Sequence, residues 1–399
     1  MGVLRLFLAL FVVYAHCGSP FGRVGMSAEN AVQIFYMISG FYMTLVLRGK
    51  YATNDFAGVR TFWSNRLLRI FPAYFLVAGL TLFLCVFGER LFGWVPQPAL
   101  YYWAWRDNGL LQLPQLLWLG FTQSTMVGLS SFNFFTLTDA GAVIPTAGVS
   151  ADDHEIWRLL LVPQAWSLSV ELYFYAVAPF LVTRRLRVLV AVALASFALR
   201  VGLWLAAGLN DDPWSYRFFP SELMFFMLGA IACHAYGARS ELQQRAGAPG
   251  VSLAAHPWLL HGGLAALVVT AVLIGRVDRP FGAGTLIAPL ATACAFLALP
   301  WLFAATRQQR IDRLLGELSY PVYICHVLII WMVGGGGFEI GKATFFLVLA
   351  IVLVFALAIY RFVDQPIDRL RHARLTASQA PRSVAPLQQN GLPAARGLP

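Results

Sequence analysis

The chain is short of charge. Only 12% of its 399 residues are Asp, Glu, Lys or Arg, about half the share carried by an ordinary soluble domain, and that deficit excludes a fully water-facing surface. Cysteine is sparse as well: Cys17, Cys85, Cys233, Cys294 and Cys325 stand singly, which excludes a disulfide framework and leaves no zinc-type cluster. No internal repeat and no second soluble domain is legible. The basic residues form no continuous stripe, so the formal net charge of +10 does not point to nucleic acid. No small-x-small cleavage pattern follows the first apolar run, which therefore reads as a retained span rather than a signal peptide.

What is present is apolar and aromatic. Hydrophobic residues make up 59% of the chain and aromatics 14%, and the mean hydropathy is +0.66. That aromatic content excludes disorder and fits the interfacial belts of a membrane bundle. A bilayer-crossing helix needs roughly 20 mostly apolar residues, and ten runs come near that length: approximately 3–19, 30–47, 70–87, 166–182, 188–208, 218–236, 257–275, 285–305, 314–333 and 344–362. The expected fold is an all-α integral membrane protein of about ten transmembrane helices with both termini cytoplasmic. In that orientation 20 of the 29 Lys and Arg fall on the cytoplasmic side and 8 outside, with Arg200 inside a span, as the positive-inside rule requires.

This count also sets the status of residues 88–165. Were 110–121 a full span, the acidic stretch through Glu155 would lie inside and every later span would reverse. The region is expected instead on the outer face, where Tyr101, Tyr102, Trp103, Trp105 and Trp118 serve as interfacial anchors or as a platform that stacks on a sugar. The transmembrane domain is expected to cover 1–366, and 367–399 to be a disordered cytoplasmic tail.

Ionisable groups within spans are costly and mark function by default. They are His16, Glu171, Arg200, Glu222, His234, Glu317 and His326, with Arg5, Arg66 and Arg69 near the cytoplasmic surface. Eleven residues separate Arg5 from His16, about three helical turns and roughly 16 Å of rise, so they share one face. Arg66 and Arg69 share a face at i, i+3 near a helix start, a plausible phosphate cradle. Membrane-surface anchoring is the alternative reading for that pair, a positive-inside flank for Arg5, and a backbone-bonded helix end for His16. Trp166-Ser167-Leu168-Ser169-Val170-Glu171 places a carboxylate about one turn inside the fourth span. Ser319-Tyr320-Pro321-Val322-Tyr323-Ile324-Cys325-His326 sets polar groups at helical spacing in the ninth, where interhelical hydrogen bonding is the plainer explanation.

Taken together, these landmarks are more specific. The sequence resembles the acyltransferase-3 family of integral membrane enzymes, whose members O-acylate cell-surface carbohydrates. The resemblance rests on five strings in order: Arg5 and His16, Phe35-Tyr36-Met37-Ile38-Ser39-Gly40-Phe41, Arg66-Leu67-Leu68-Arg69-Ile70-Phe71-Pro72-Ala73-Tyr74, Trp166 to Glu171, and Ser319-Tyr320 through Tyr323 to His326. It implies His16 as catalytic base, with Glu171 and His326 also catalytic. It implies donor binding by Arg5, Arg66 and Arg69, and supporting roles for Ser39, Trp166, Ser167, Ser319, Tyr320 and Tyr323.

The implied donor is acyl-CoA, acetyl-CoA by family frequency, with no tightly bound cofactor and no metal. The implied acceptor is an extracytoplasmic carbohydrate such as O-antigen or exopolysaccharide, and the implied location is the bacterial inner membrane, alongside polysaccharide-synthesis machinery. One departure stands out: the family's Glu-Arg/Lys-Pro ending of the last span reads Asp364-Gln365-Pro366. The alternative from another class is a proton-coupled transporter or exporter of a lipid or glycan, using the same buried ions as a relay; the paired discontinuous helices that would favour it are not visible.

Overall fold

The computed structural model describes residues 1–22, 27–49, 51, 56–148, 154–209, 212–245 and 283–379. Helices α1 (Gly2–His16), α2 (Ala28–Gly49), α3 (Phe56–Phe92), α4 (Gln97–Asp107), α5 (Leu113–Thr125), α6 (Trp166–Leu181), α7 (Leu186–Ala207), α8 (Phe219–Arg245), α9 (Ala283–Thr306), α10 (Arg310–Gly335), α11 (Lys342–Ile359) and α12 (Gln365–Gln379) account for most of it. The one sheet among the described residues is a ribbon in which β1 (Phe135–Leu137) pairs antiparallel with β2 (Val143–Pro145). Among the described residues five helices can cross a bilayer by length and composition: α2, α3, α7, α10 and the continuous helical stretch Lys342–Arg371. The chain is thus an all-α membrane protein. The expected span at 257–275 lies outside the described residues.

Burial separates the bundle's centre from its rim. In the apolar windows of α2 and α7, 67% and 11% of residues respectively are buried inside the protein, so α7 turns most of its Leu, Phe and Trp side chains outward, as a lipid-facing helix does. The centre is aromatic: Phe226 of α8 stacks on Phe174 of α6 at 4.1 Å and on Tyr36 of α2 at 4.6 Å. Small residues set the closest helix approaches, as is common where lipid offers no hydrophobic drive. At the α2–α8 crossing, a Cβ on Gly40 would lie 2.0 Å from the Phe226 carbonyl oxygen, and one on Gly229 would lie 1.9 Å from that of Met37.

Two departures from the sequence expectation have physical causes. The third span is part of a 37-residue helix that begins at Phe56. Pro72 inside it removes one rung of the ladder, but burial of Phe62, Arg66, Ile70 and Tyr74 along one face holds the helix together. The expected tail from 367 is helical as far as Gln379, joined to α11 through a single π-turn at Tyr360–Asp364. Pro366 offers no N–H to the preceding turn, and a widened turn absorbs that loss. Residues 380–399 lie outside the described residues.

The region 88–165 carries α4 and α5, both too short to span. Leu113, Leu117 and Phe121 on α5 are exposed at i, i+4, i+8, the stripe of a helix lying along an interface. Within α4 and α5, Trp105 is buried and Trp118 packs on Phe132 at 4.3 Å. Trp103 is exposed but lies under the Arg106 guanidinium.

Candidate functional site

The face that carries the start of α1 is called here the near face, and the opposite one the far face. A carboxylate anchors α1 at the near face. Asp312, in the first turn of α10, accepts hydrogen bonds from the backbone N–H groups of Gly2 and Val3, both at 2.9 Å, and from the Met1 amine at 2.8 Å. It therefore satisfies donors at a positive helix end. Gly316, one turn further along α10, has space only for hydrogen: its Cβ would lie 2.9 Å from the Gly2 Cα. This tight α1–α10 pairing places the Arg5 side chain against α10 and sets α1 on the wall of a cavity.

That cavity, of about 550 Å³, runs inward from the near face between α1, α2, α3, α6 and α10. Arg5, Arg66 and Arg69 line it together, as do Ser39, Glu171, Ser167, Ser319, Tyr320 and Tyr323 among the residues singled out from the sequence. No salt bridge or hydrogen bond engages the guanidinium of Arg5, Arg66 or Arg69 among the described residues, and the Arg66 Nε is buried without a partner. Carboxylates of Glu171, Asp312, Glu317 and Asp368 share the lining, but none of them bonds directly to these three guanidinium groups, whose donors stay available to anionic oxygens.

Glu171 stands further along. Its Oε1 accepts from the Ser39 hydroxyl and from the Tyr175 phenol, each at 2.6 Å. Tyr175 was not picked out from the sequence, although its i+4 spacing from Glu171 puts it on the same helical face. The inner end of the cavity is formed by Tyr323, whose hydroxyl hydrogen-bonds with the Ser167 hydroxyl at 2.7 Å and donates to the Gln164 carbonyl at 3.0 Å. Two other hydroxyls are turned to backbone: Ser319 donates to the Gly316 carbonyl at 2.7 Å, and Tyr320 donates to that of Ile70 at 2.6 Å.

His16 and His326 do not line this cavity. They face each other just beyond its end, with ring centroids 4.9 Å apart, and the Tyr323 ring lies 5.9 Å from His326. The His16 Nδ1 sits 2.9 Å from the Val12 carbonyl oxygen, and the His326 Nδ1 sits 2.7 Å from that of Tyr323. A carbonyl only accepts, so in each neutral ring Nδ1 carries the hydrogen and Nε2 keeps the lone pair. His326 is fully buried and its Nε2 has no partner. His16 is exposed, in contrast to the buried setting expected from its place in the first span.

Trp166 lies on the far side as well. The Arg217 guanidinium stacks over it at 4.5 Å and is itself held by Asp212, with Nε donating to Oδ1 at 2.6 Å and Nη2 to Oδ2 at 2.9 Å. Burial of the neighbouring Tyr216 phenol pushes its ionisation above the ordinary range, so it stays a neutral donor to Asp212. Two of the remaining in-span ions pair with each other. Arg200 Nη1 donates to Oε1 of the fully buried Glu222 at 2.7 Å, and Gln33 donates to the same oxygen at 3.3 Å, which staples α7, α8 and α2 together. Arg307, Arg313 and Arg371 also line the cavity, although topology alone had given them no role beyond flanking charge. Among the described residues no group of three His, Cys, Asp or Glu is placed to hold a metal ion.

The chain is similar over 376 residues, at 26% identity, to the exopolysaccharide production protein ExoZ of Rhizobium meliloti (strain 1021), covering 92% of this chain and 99% of that one. It is also 31% identical over 174 residues to protein 2 in the picA locus of Rhizobium radiobacter, covering 42% of this chain and 74% of the relative. No solved structure matches. The acyltransferase domain model of the acyltransferase-3 family matches residues 1–361, so the strings around His16, Arg66, Glu171 and His326 all fall within it, and the chain belongs to that family of membrane acyltransferases.

Proposed function

We propose that the protein moves an acyl group, acetyl in the first instance, from cytoplasmic acyl-CoA to a hydroxyl of an extracytoplasmic carbohydrate. On this reading it is a multi-pass protein of the bacterial inner membrane with ten spans, its near face is cytoplasmic, and it works beside polysaccharide-synthesis machinery. The observation that carries the reading is the order of groups along one path. Unpaired arginines come first, then the Glu171 cluster, then the Tyr323–Ser167 floor, and then two imidazoles of which one is open to the far side. Similarity to an exopolysaccharide production protein favours an exopolysaccharide acceptor.

In this mechanism Arg5, Arg66 and Arg69 hold the donor's phosphates, and the thioester reaches the floor beside Tyr323. The acceptor hydroxyl approaches from the far side. His16 Nε2, whose lone pair is kept free by the Nδ1–Val12 contact, takes the hydroxyl proton as the oxygen attacks the thioester carbonyl carbon. The new C–O ester bond forms, the C–S bond breaks, and the proton passes from His16 to the departing thiolate. His326 holds the first imidazole in place through ring contact and offers a second basic nitrogen at the same point. General-base help of this kind contributes about 10²- to 10⁴-fold, and alignment of the two reactants contributes beyond that.

The test is reconstitution. Purified protein in proteoliposomes, given radiolabelled acetyl-CoA and an exopolysaccharide acceptor, transfers label to the glycan as an alkali-labile ester. Absence of transfer from acetyl-CoA, with transfer from another activated acyl donor, would reject the donor assignment.

A further inference from the structure

Helix α12 lies beyond the 361 residues that the family domain matches, yet it closes part of the cavity wall through Asp368 and Arg371. The rest of that wall is contributed by residues within the domain. Helix α12 packs against α3, the helix of Arg66 and Arg69. Arg371 is largely buried, with 11% of its side chain exposed. It pairs through Nη1 with Asp368 one turn earlier; its Nε is buried without a partner, and its Nη2 makes no hydrogen bond among the described residues. Arg5, Arg66, Arg69, Arg307, Arg313 and Arg371 share the cavity lining with Glu171, Asp312, Glu317 and Asp368, so formal positive charge is in excess there, and a guanidinium with free donors facing it suits an added anion.

The positions of the cations fit one class of anion. All six arginines line one cavity; Arg307 and Arg313 flank the start of α10, which pairs with the start of α1 at the near face, and Arg371 comes from α12, which follows the last span. A donor bound with its thioester at the Tyr323 floor would extend its pantetheine arm and diphosphate back toward the near face. The ribose phosphate then lies furthest out. We propose that Arg371 binds the ribose 3′-phosphate of the donor, so that α12 makes the enzyme selective for a complete CoA thioester over one lacking that phosphate. This inference rests on the acyl-CoA reading above. The same chemistry would also accept the phosphate of a lipid headgroup at the membrane surface.

The experiment compares acetyl-CoA with 3′-dephospho-acetyl-CoA as donors for the full-length protein, in nanodiscs of zwitterionic lipid and in nanodiscs containing anionic lipid. The wild type is expected to favour acetyl-CoA in kcat/KM by about tenfold or more, as befits a charge-assisted contact to phosphate. Arg371→Gln is expected to lower kcat/KM for acetyl-CoA by that factor and for the dephospho donor by less than about threefold, collapsing the preference. Arg371→Lys should keep an intermediate preference, which separates lost recognition from misfolding.

Equal losses with both donors would overturn the proposal, as would a wild type indifferent to the 3′-phosphate. An effect of Arg371→Gln that appears only in anionic-lipid nanodiscs would assign the residue to headgroups instead. Transfer from neither donor would reject the acyl-CoA reading and this inference with it, whereas transfer from both without discrimination rejects this inference alone.

Discussion

Arg66→Gln separates binding from folding with opposite signs. Among the described residues the Arg66 guanidinium has no bonded carboxylate partner, its Nε is buried and unsatisfied, and it lies over the Phe62 ring at 5.7 Å. That contact is worth about 0.5–1 kcal/mol. Against it stand the unmade hydrogen bond, about 1–3 kcal/mol, and repulsion from Arg69. Like charges one turn apart on a helix cost about 0.2–0.5 kcal/mol. Removing the charge should therefore leave the apo protein as stable, or stabilise it by about 1–2 kcal/mol.

The donor should respond the other way. Loss of one charge-assisted hydrogen bond to phosphate costs about 1.5–3 kcal/mol, or about 10- to 100-fold in KM for acyl-CoA. Thermal unfolding of the detergent-solubilised protein and steady-state transfer read the two quantities on one preparation. A fall in Tm of several degrees with unchanged KM would show that Arg66 is a structural cation and that the cavity is not a phosphate site.

Other perturbations reach other parts of the account. Combining Arg66→Gln with Arg69→Gln should raise KM further, though by less than the product of the single effects, because both act on one ligand; full additivity in a double-mutant cycle would argue for separate sites. Tyr323→Phe removes bonds to Ser167 and Gln164 at the cavity floor, yet Ser167 keeps its own bond to the Gln164 carbonyl at 3.1 Å. The expected cost in stability is thus only about 1 kcal/mol, with a larger fall in kcat than in donor affinity if the floor aligns the thioester. Gly229→Ala places a methyl 1.9 Å from the Met37 carbonyl oxygen. Forcing α2 and α8 apart should cost at least about 1–3 kcal/mol, seen as reduced Tm and reduced yield of folded protein.

How much of this was readable from the sequence depends on the length scale of the signal. Spans are long apolar runs, so their helices stand out even where α3 extends well beyond its expected start at 70. Arg5, Glu171 and Tyr323 are polar interruptions of those runs and Arg66 and Arg69 flank one of them, and the fold gathers all five on one cavity. Local spacing did not disclose that α1 and α10 meet through Gly2 and Gly316, a non-local packing fact that brings His16 to His326. Arg371 was hidden for a different reason: in a stretch rich in Arg and polar residues, only contact with α3 distinguishes a helical wall from a solvated tail. Arg217 was equally silent, since its partners Asp212 and Trp166 are set by tertiary contact across the far side.

The account turns on His16 as the group that takes the acceptor's proton. His16→Gln keeps a polar side chain at the exposed end of α1 while removing the base. In proteoliposomes with acetyl-CoA and a glycan acceptor it should lower kcat by about 10²- to 10⁴-fold with acetyl-CoA affinity unchanged, since the ring lies outside the donor cavity. Transfer by His16→Gln at the wild-type rate would contradict the account.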